Sequence, residues 1–383
     1  MMQKSRYEEC LSWASERGLV LDSRIERKEV NGVYGMYATA PIPEGTVIAS
    51  FPLDACIPIL DKKLIYPGNK QEYKQRIHAT AKELSKGAQS EYLGCVMLFN
   101  TLEEHQKYSF CFFSYEESLL LSKMSPLLQR SIAALQYSTN NIVASIKEVD
   151  PDLDIRFIMQ AQLNGVDRCW GAYGFVPILD LFNHSNTKGS IIKEFDDGKR
   201  IGHQTKTNYE AGDQIMISYG EKDMYNHATN YGYFDSNDEH FIDYAARAVQ
   251  VLDSPAKLAV AEYISNNYKC YIHEEKGVKK MKILETNLFF SESSPSTDLL
   301  SYFAKTSFCT QQEFATKQCH PDSISSTLIS VIDSFIDANH IDDFELSEIP
   351  EKLQHFYHLL KKEKKMLLKN REWVINDLKI QIK

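Results

Sequence analysis

The strand signals of this chain fall into two groups separated by more than a hundred residues of helical pattern, so any sheet must be assembled from distant segments. The first group, residues 25–51, has short runs rich in Val, Ile, Tyr and Thr, broken by Asn31-Gly32, Gly35, Pro41, Pro43 and Glu44-Gly45. That is the punctuation of strands and tight turns. The second comprises 174–178, 190–195, 200–205 and 214–219, with turn signals at Asp197-Gly198 and Ala211-Gly212-Asp213. Between them, from 60 to about 167, apolar residues recur every three or four positions, as in Tyr92, Val96, Leu98 and Phe99, or Leu127, Ile132, Leu135 and Ile142. This spacing predicts several helices inserted into a β fold.

Helical patterns also flank the split β part. Tyr7, Cys10, Leu11 and Ala14 predict a short amphipathic helix that stops at Gly18. Ser254-Pro255 opens a second helical region that runs to the end of the chain. Its last helix carries Leu353, Leu360, Leu367 and Val374 at seven-residue spacing, beside Lys361, Lys362, Lys364 and Lys365. A packing stripe with a solvated charged face is expected there, and a basic partner-binding surface is the alternative. The organisation predicted is a domain over 1–245 with its helical insertion at about 60–167, followed by an all-α domain over 246–383.

Composition narrows the function classes. A chain of 383 residues with 43% hydrophobic content, 21 Tyr and 19 Phe can bury a sizeable core, so little disorder is expected. The eight cysteines (Cys10, Cys56, Cys95, Cys111, Cys169, Cys270, Cys309, Cys319) include no C-x-x-C, which argues against a zinc cluster or a disulfide framework and for a reducing interior. A metal hydrolase built on His184, His203 and His227 would need a helical His-x-x-x-His or a comparable ligand set, and the sequence has none. No run of about 18 apolar residues occurs, so the chain is expected to be cytoplasmic, with a nuclear location or delivery into another cell as alternatives, and without a membrane partner. A net charge of −9 argues against direct nucleic-acid binding and suits a partner with exposed basic groups.

Three short stretches concentrate turn-forming, polar and aromatic residues beside the strand signals. The first is Asn31-Gly32-Val33-Tyr34-Gly35, where glycine permits positive φ and close approach of the backbone to a small molecule; a plain glycine-turn hairpin is the alternative. In the second, Asp180-Leu181-Phe182-Asn183-His184-Ser185, a polar pair follows an apolar run, and buried Asn and His groups must be hydrogen-bonded by protein or ligand. The third is Ser218-Tyr219-Gly220, followed by Asn230-Tyr231-Gly232-Tyr233-Phe234.

In this order, with Tyr219 some 35 residues after His184, the motifs resemble those of the SET-domain protein methyltransferases, in the branch that includes the Rubisco large-subunit lysine methyltransferase. The resemblance spans nearly the whole chain. It implies an α+β fold: a SET-domain β part of small sheets with a pseudoknot, a helical insertion and a helical C-terminal substrate-binding domain. It also implies S-adenosylmethionine as cofactor, a protein presenting a lysine as substrate, and a monomeric enzyme. Gly32, Val33, Tyr34 and Gly35 would approach the cofactor through backbone groups, Asn183 and His184 would hold its adenosyl portion, and Arg168 would reach its methionine carboxylate. Tyr219 would direct its hydroxyl at the transferring methyl and the attacking nitrogen. Trp170, Leu179, Asp180, Tyr231 and Tyr233 would receive the substrate side chain. An apolar floor at Trp170 and Leu179 favours an aliphatic lysine stem over a histidine, which would want a polar partner to fix its tautomer. Histidine methylation, and a SET-fold binding module without turnover, stand as the alternatives.

Overall fold

The computed structural model describes residues 5–30, 33–58, 60, 61, 63–168, 173–185, 188–219, 223–232, 234, 239–244, 249–251, 255–267, 270–275, 278–283, 288–307, 316 and 319–378. The chain divides into two compact units, one of residues 1–112 and 132–221, the other of 113–131 and 222–383.

The first unit opens with helix α1 (Arg6–Glu16), started by a capping box in which Ser5 Oγ accepts from the Glu8 N–H and Glu8 accepts from the Ser5 N–H. It ends at Gly18, whose φ of +87° lets Leu19 N–H turn back to the Ala14 carbonyl at 2.9 Å. A four-stranded antiparallel sheet follows, in the order β1 (Val20–Leu21), β4 (Val47–Pro52), β7 (Arg200–Gln204), β6 (Ile191–Phe195). It therefore joins the two distant strand groups, as the split pattern requires. Beside it, β2 (Ile25–Val30) and β3 (Val33–Ala38) form a hairpin in the register Val30↔Val33 to Ile25↔Ala38.

The inserted helices are α2 (Gln71–Lys86), α3 (Leu93–Val96), α4 (Leu102–His105), α5 (Tyr115–Met124), α6 (Pro126–Val149) and α7 (Ile155–Arg168). Helix α5 belongs to the second unit. Within the first unit, Ile77 and Ala81 of α2 share an apolar cluster with Ile142 and Ile146 of α6 and Ile158 and Ala161 of α7. This packing fixes where α7 ends, at Arg168.

Two very short strands position the chemistry. β5 (Asn183–His184) and β8 (Met216–Ile217) pair in parallel, Asn183 against Met216 and His184 against Ile217. On its other side the same segment meets Ser190: Ser190 N–H donates to the Met216 carbonyl and Ser218 N–H to the Ser190 carbonyl, both at 2.9 Å. Residues 216–218 are thus gripped between 183–185 and 190, the pseudoknot that the resemblance implied.

Two strand expectations change. Residues 174–178 form no regular strand; the segment turns at Pro177-Ile178, with Ile178 at φ +69°. Its apolar run is buried core rather than sheet: Val176, Ile178 and Leu179 are fully enclosed with Met36, Ile48, Phe51 and Phe182. A β-branched residue at positive φ is strained by about 1–3 kcal/mol, and enclosure of its side chain by the core is what holds it. The expected strand at 214–219 shrinks to β8, because the segment changes partner along its length: Gln214 bridges Tyr37 and Ile215 N–H bonds the Met36 carbonyl, whereas Met216 and Ile217 pair with β5.

In the second unit, α8 (Met224–Tyr231), α9 (Pro255–Asn267), α10 (Thr297–Thr306), α11 (Pro321–Asp337) and α12 (Gln354–Asn376) give the helical C-terminal region expected. It is not all-α, however. β10 (Val249–Val251), β12 (Val278–Ile283) and β11 (Cys270–Glu275) form an antiparallel sheet, and β9 (Ile242–Asp243) pairs with β13 (Phe289–Phe290). The lysines and glutamates of β11 and β12 blur the alternation, although one opposite-charge pair, Glu274↔Lys279, faces across the ladder, which suits a strand pair. In α12 the seven-residue stripe is a packing seam: Leu360, Leu367 and Val374, with Leu353 just before the helix, are fully buried. Lys361 and Lys364 pair with Asp342 and Lys362 with Glu292, so three of the four lysines are already matched.

Candidate active site

Asn183, His184 and Tyr219 come together because β5 and β8 are neighbours. His184 is buried, and its Nδ1 accepts the Tyr219 backbone N–H at 3.0 Å. An imidazole nitrogen that accepts carries no proton, so a neutral His184 bears its hydrogen on Nε2. The two rings stack, with centroids 5.0 Å apart and planes at 28°. Tyr219 Oη donates to the Phe182 carbonyl at 2.8 Å. The hydroxyl proton is thereby committed, so toward any further group the oxygen acts as an acceptor. Phe182 was not anticipated from the sequence: its part is played by a backbone carbonyl, which no side-chain pattern marks.

Asn183 reaches in the other direction. Its Nδ2 donates to the carbonyl of Tyr34 in β3 at 2.9 Å, across 149 positions of sequence. The hairpin and the Asn-His block are therefore one site. Val33 and the Tyr34 ring are exposed. Gly35 does not use positive φ; it lies in regular β3, and its lack of a side chain serves close packing instead. A Cβ there would stand 2.1 Å from Gln214 Nε2 and 3.1 Å from the Tyr37 ring. Gly32, Trp170 and Tyr233 lie outside the described residues.

Arg168, at the end of α7, points its Nη1 to Asp180 Oδ2 at 3.1 Å, and both side chains are largely buried. Sequence reading gave these two residues separate roles, one toward cofactor and one toward substrate; the structure makes them an ion pair. Among the described residues, Arg168 Nε and Asp180 Oδ1 are buried and without a hydrogen-bond partner. Such orphaned groups cost about 1–3 kcal/mol each until something pairs with them. Burial pushes the Asp180 carboxyl above its ordinary value, with Arg168 opposing. Cys10 of α1 feels both members of the pair, and burial drives its thiol pKa up, so it is an inert packing group. Leu179, adjacent to Asp180, is enclosed in the core. Tyr231 belongs to the second unit, its ring 5.1 Å from that of His227 at the end of α8.

Beside Arg168 lies a polar cluster that the sequence did not announce. Tyr108 Oη donates to Asp167 Oδ2 at 2.7 Å and receives Asn100 Nδ2 at 2.8 Å. With that hydroxyl proton committed, the 2.9 Å contact between Tyr108 Oη and His105 Nδ1 requires Nδ1–H to donate. His105 Nε2 then accepts from Asn164 Nδ2 at 3.2 Å. Burial lowers the His105 pKa to about 4 and raises that of Asp167 to about 7, and it also pushes Tyr108 up. A neutral His105 is what the hydrogen-bond directions demand.

Residues 33–220 match the family model of the SET domain. The fold is similar over 99% of this chain to a structure of Rubisco LSMT bound to sinefungin and monomethyllysine, covering 93% of that chain with a TM-score of 0.64 at 13% identity. It is likewise similar over 99% to Rubisco LSMT bound to AdoMet, covering 92% of that chain with a TM-score of 0.63 at 14% identity. The SET domain of LSMT bound to lysine and AdoHcy matches 97% of this chain and 91% of its own, with a TM-score of 0.63 at 13% identity. No curated protein matches the chain in sequence. The matched stretch runs from β3 through the insertion and the knot to β8, the elements that join Tyr34, Asn183, His184 and Tyr219, so it is this part of the chain that matches the SET domain.

Proposed function

We propose that this chain transfers a methyl group from S-adenosylmethionine to a lysine side chain of another protein. The observation that carries the reading is the convergence on Tyr219: its N–H on His184, its ring on the same imidazole, and its hydroxyl proton on Phe182, the residue next to the Asn183 that binds Tyr34. The LSMT structures with AdoMet and with lysine or monomethyllysine support it by likeness of fold.

The chain's own groups fit such a cofactor. The orphaned Arg168 Nε–H is a buried donor suited to a carboxylate. The hairpin at Val33, Tyr34 and Gly35 and the Asn183-His184 pair would hold the adenosyl portion, and Asn183 already ties the two together. When bound, the cofactor supplies an electrophilic methyl on a sulfonium. Tyr219 then acts by position: with its proton given to Phe182, its oxygen presents lone pairs to a methyl bearing partial positive charge. A lysine, protonated at pH 7 with a reference pKa of about 10.4, becomes a nucleophile where an apolar surround disfavours its charge. Trp170, Leu179, Asp180, Tyr231 and Tyr233 are the residues proposed to receive it, and the region from 246 to 383 is proposed to select the protein that carries it.

The test is incubation of the full chain with methyl-labelled S-adenosylmethionine and a cell lysate, followed by hydrolysis and amino-acid analysis. Label in methyllysine with the wild type, and none with Tyr219→Phe, is the expected result. Label in methylhistidine would change the acceptor, and cofactor binding without any transfer would reduce the chain to a binding module.

A further inference from the structure

Arg168 is already matched in charge by Asp180, so the pair carries no net charge with which to attract an anion. A second guanidinium stands nearby. Arg27 of β2 feels the charge of Arg168, and it lies under the ring of Tyr34 at 3.9 Å and against that of Tyr7 in α1 at 5.1 Å. Tyr34 is the residue whose carbonyl Asn183 holds. Among the described residues Arg27 makes no hydrogen bond and no ion pair, although its side chain is partly buried.

That combination is unusual for an arginine used only as a clamp. The two ring contacts hold the guanidinium by cation–π attraction and offer no oxygen acceptor to its five N–H groups. Its donors are thus unfilled among the described residues. A planar fork with two adjacent N–H groups is matched by a carboxylate. The neighbouring Lys28 differs: it lies over Tyr37 and pairs with Glu26 at 3.9 Å.

We infer that Arg27 is a second guanidinium for the carboxylate of the cofactor's amino-acid end, kept in orientation by the ring faces of Tyr7 and Tyr34. Arg168 offers one directed donor from a neutral pair; Arg27 adds a second positive charge that forms no ion pair among the described residues, with the Glu29 carboxylate within electrostatic reach. The inference rests on the cofactor reading above, and its test separates the two. Calorimetry is run on the full chain with S-adenosylmethionine and with decarboxylated S-adenosylmethionine, which differ only in the carboxylate. In Arg27→Met, affinity for S-adenosylmethionine is expected to fall about 10- to 100-fold, as for loss of a charge-assisted hydrogen bond, with no weakening toward the decarboxylated form. Arg27→Lys, which keeps the charge and loses the fork, should fall between wild type and Arg27→Met. Equal loss for both ligands would make Arg27 a structural clamp and overturn the inference, as would no loss for either. Should Arg27→Met fail to fold, the same comparison in Arg27→Lys decides. A wild type that binds neither ligand takes down the cofactor reading itself, whatever Arg27 does.

Discussion

Helix α12 and the knot around Tyr219 use opposite means to hold a structure together. In α12 the buried face is mostly apolar, with Phe356, Leu359, Leu360, Met366, Leu367 and Val374 around the hydrogen-bonded Glu363 and Asn370, and each leucine contributes through apolar area. In the knot, almost every link is directional: Asn183 to Tyr34, His184 to Tyr219, Tyr219 to Phe182. Apolar seams tolerate substitutions that conserve volume. Directional links fail one at a time and take geometry with them. Stability should therefore concentrate in the first kind of region and activity in the second.

The strongest way to break this contrast is Tyr219→Phe. It removes one oxygen, and methyl transfer should fall by roughly 100- to 1,000-fold, as for loss of an oriented transition-state partner, while the thermal midpoint moves little; labelled-methyl transfer and a melting curve measure both. In the seam, Leu360→Ala should cost about 2–5 kcal/mol by denaturant unfolding and leave the cofactor affinity of the folded fraction unchanged. Asp180→Ala sharpens the comparison because it strikes a buried ion pair. An uncompensated Arg168 should cost about 3 kcal/mol, close to the leucine, yet cofactor affinity should change as well.

Next in size is a pH effect from the cluster beside Arg168. Asp167 is raised to about 7 in the folded chain, against about 3.9 unfolded, so the native state binds the extra proton and this group lowers stability as pH rises from about 4 to 7. His105 is lowered to about 4, against about 6.5 unfolded; there the unfolded state binds the extra proton, and stability rises with pH from about 4 to 6.5. The two slopes oppose each other. Asp167→Asn should leave the rise alone, up to about 1.4 kcal/mol per pH unit, visible in denaturant midpoints between pH 4.5 and 6.5. The smallest effect expected is that of Lys361→Ala, whose exposed pair with Asp342 should be worth under about 0.5 kcal/mol.

The same contrast explains what could be read from the sequence. Periodicity revealed α1, the inserted helices and the α12 stripe, because local spacing alone decides which face is buried. Asn183, His184 and Tyr219 were legible because their side chains belong to motifs in a recognisable order. The Phe182 carbonyl was not, since any residue has one. Arg27 was passed over because its two aromatic neighbours lie on α1 and β3, and only folding brings them to it. Of the properties expected of Gly35, positive φ is absent, and its lack of a side chain makes room for Gln214, 179 positions away. Residues 174–178 carry strand-like residues but are enclosed on all sides, and a short apolar run does not say whether its neighbours will be strands or helices.

The grip on residues 216–218 also orders events in time. Their parallel partner at 183–184 and their second contact at Ser190 are formed by a stretch that must already be folded back before the later segment can be captured. Non-local pairings of this kind are late and slow in folding, because loop closure has to precede the contacts that reward it. Tyr219 rides on the segment that is captured, so the proposed catalytic hydroxyl reaches the Phe182 carbonyl only when the knot closes. A newly made or partly unfolded chain would keep its helices and its hairpin yet remain silent, with activity acting as a seal on completed folding.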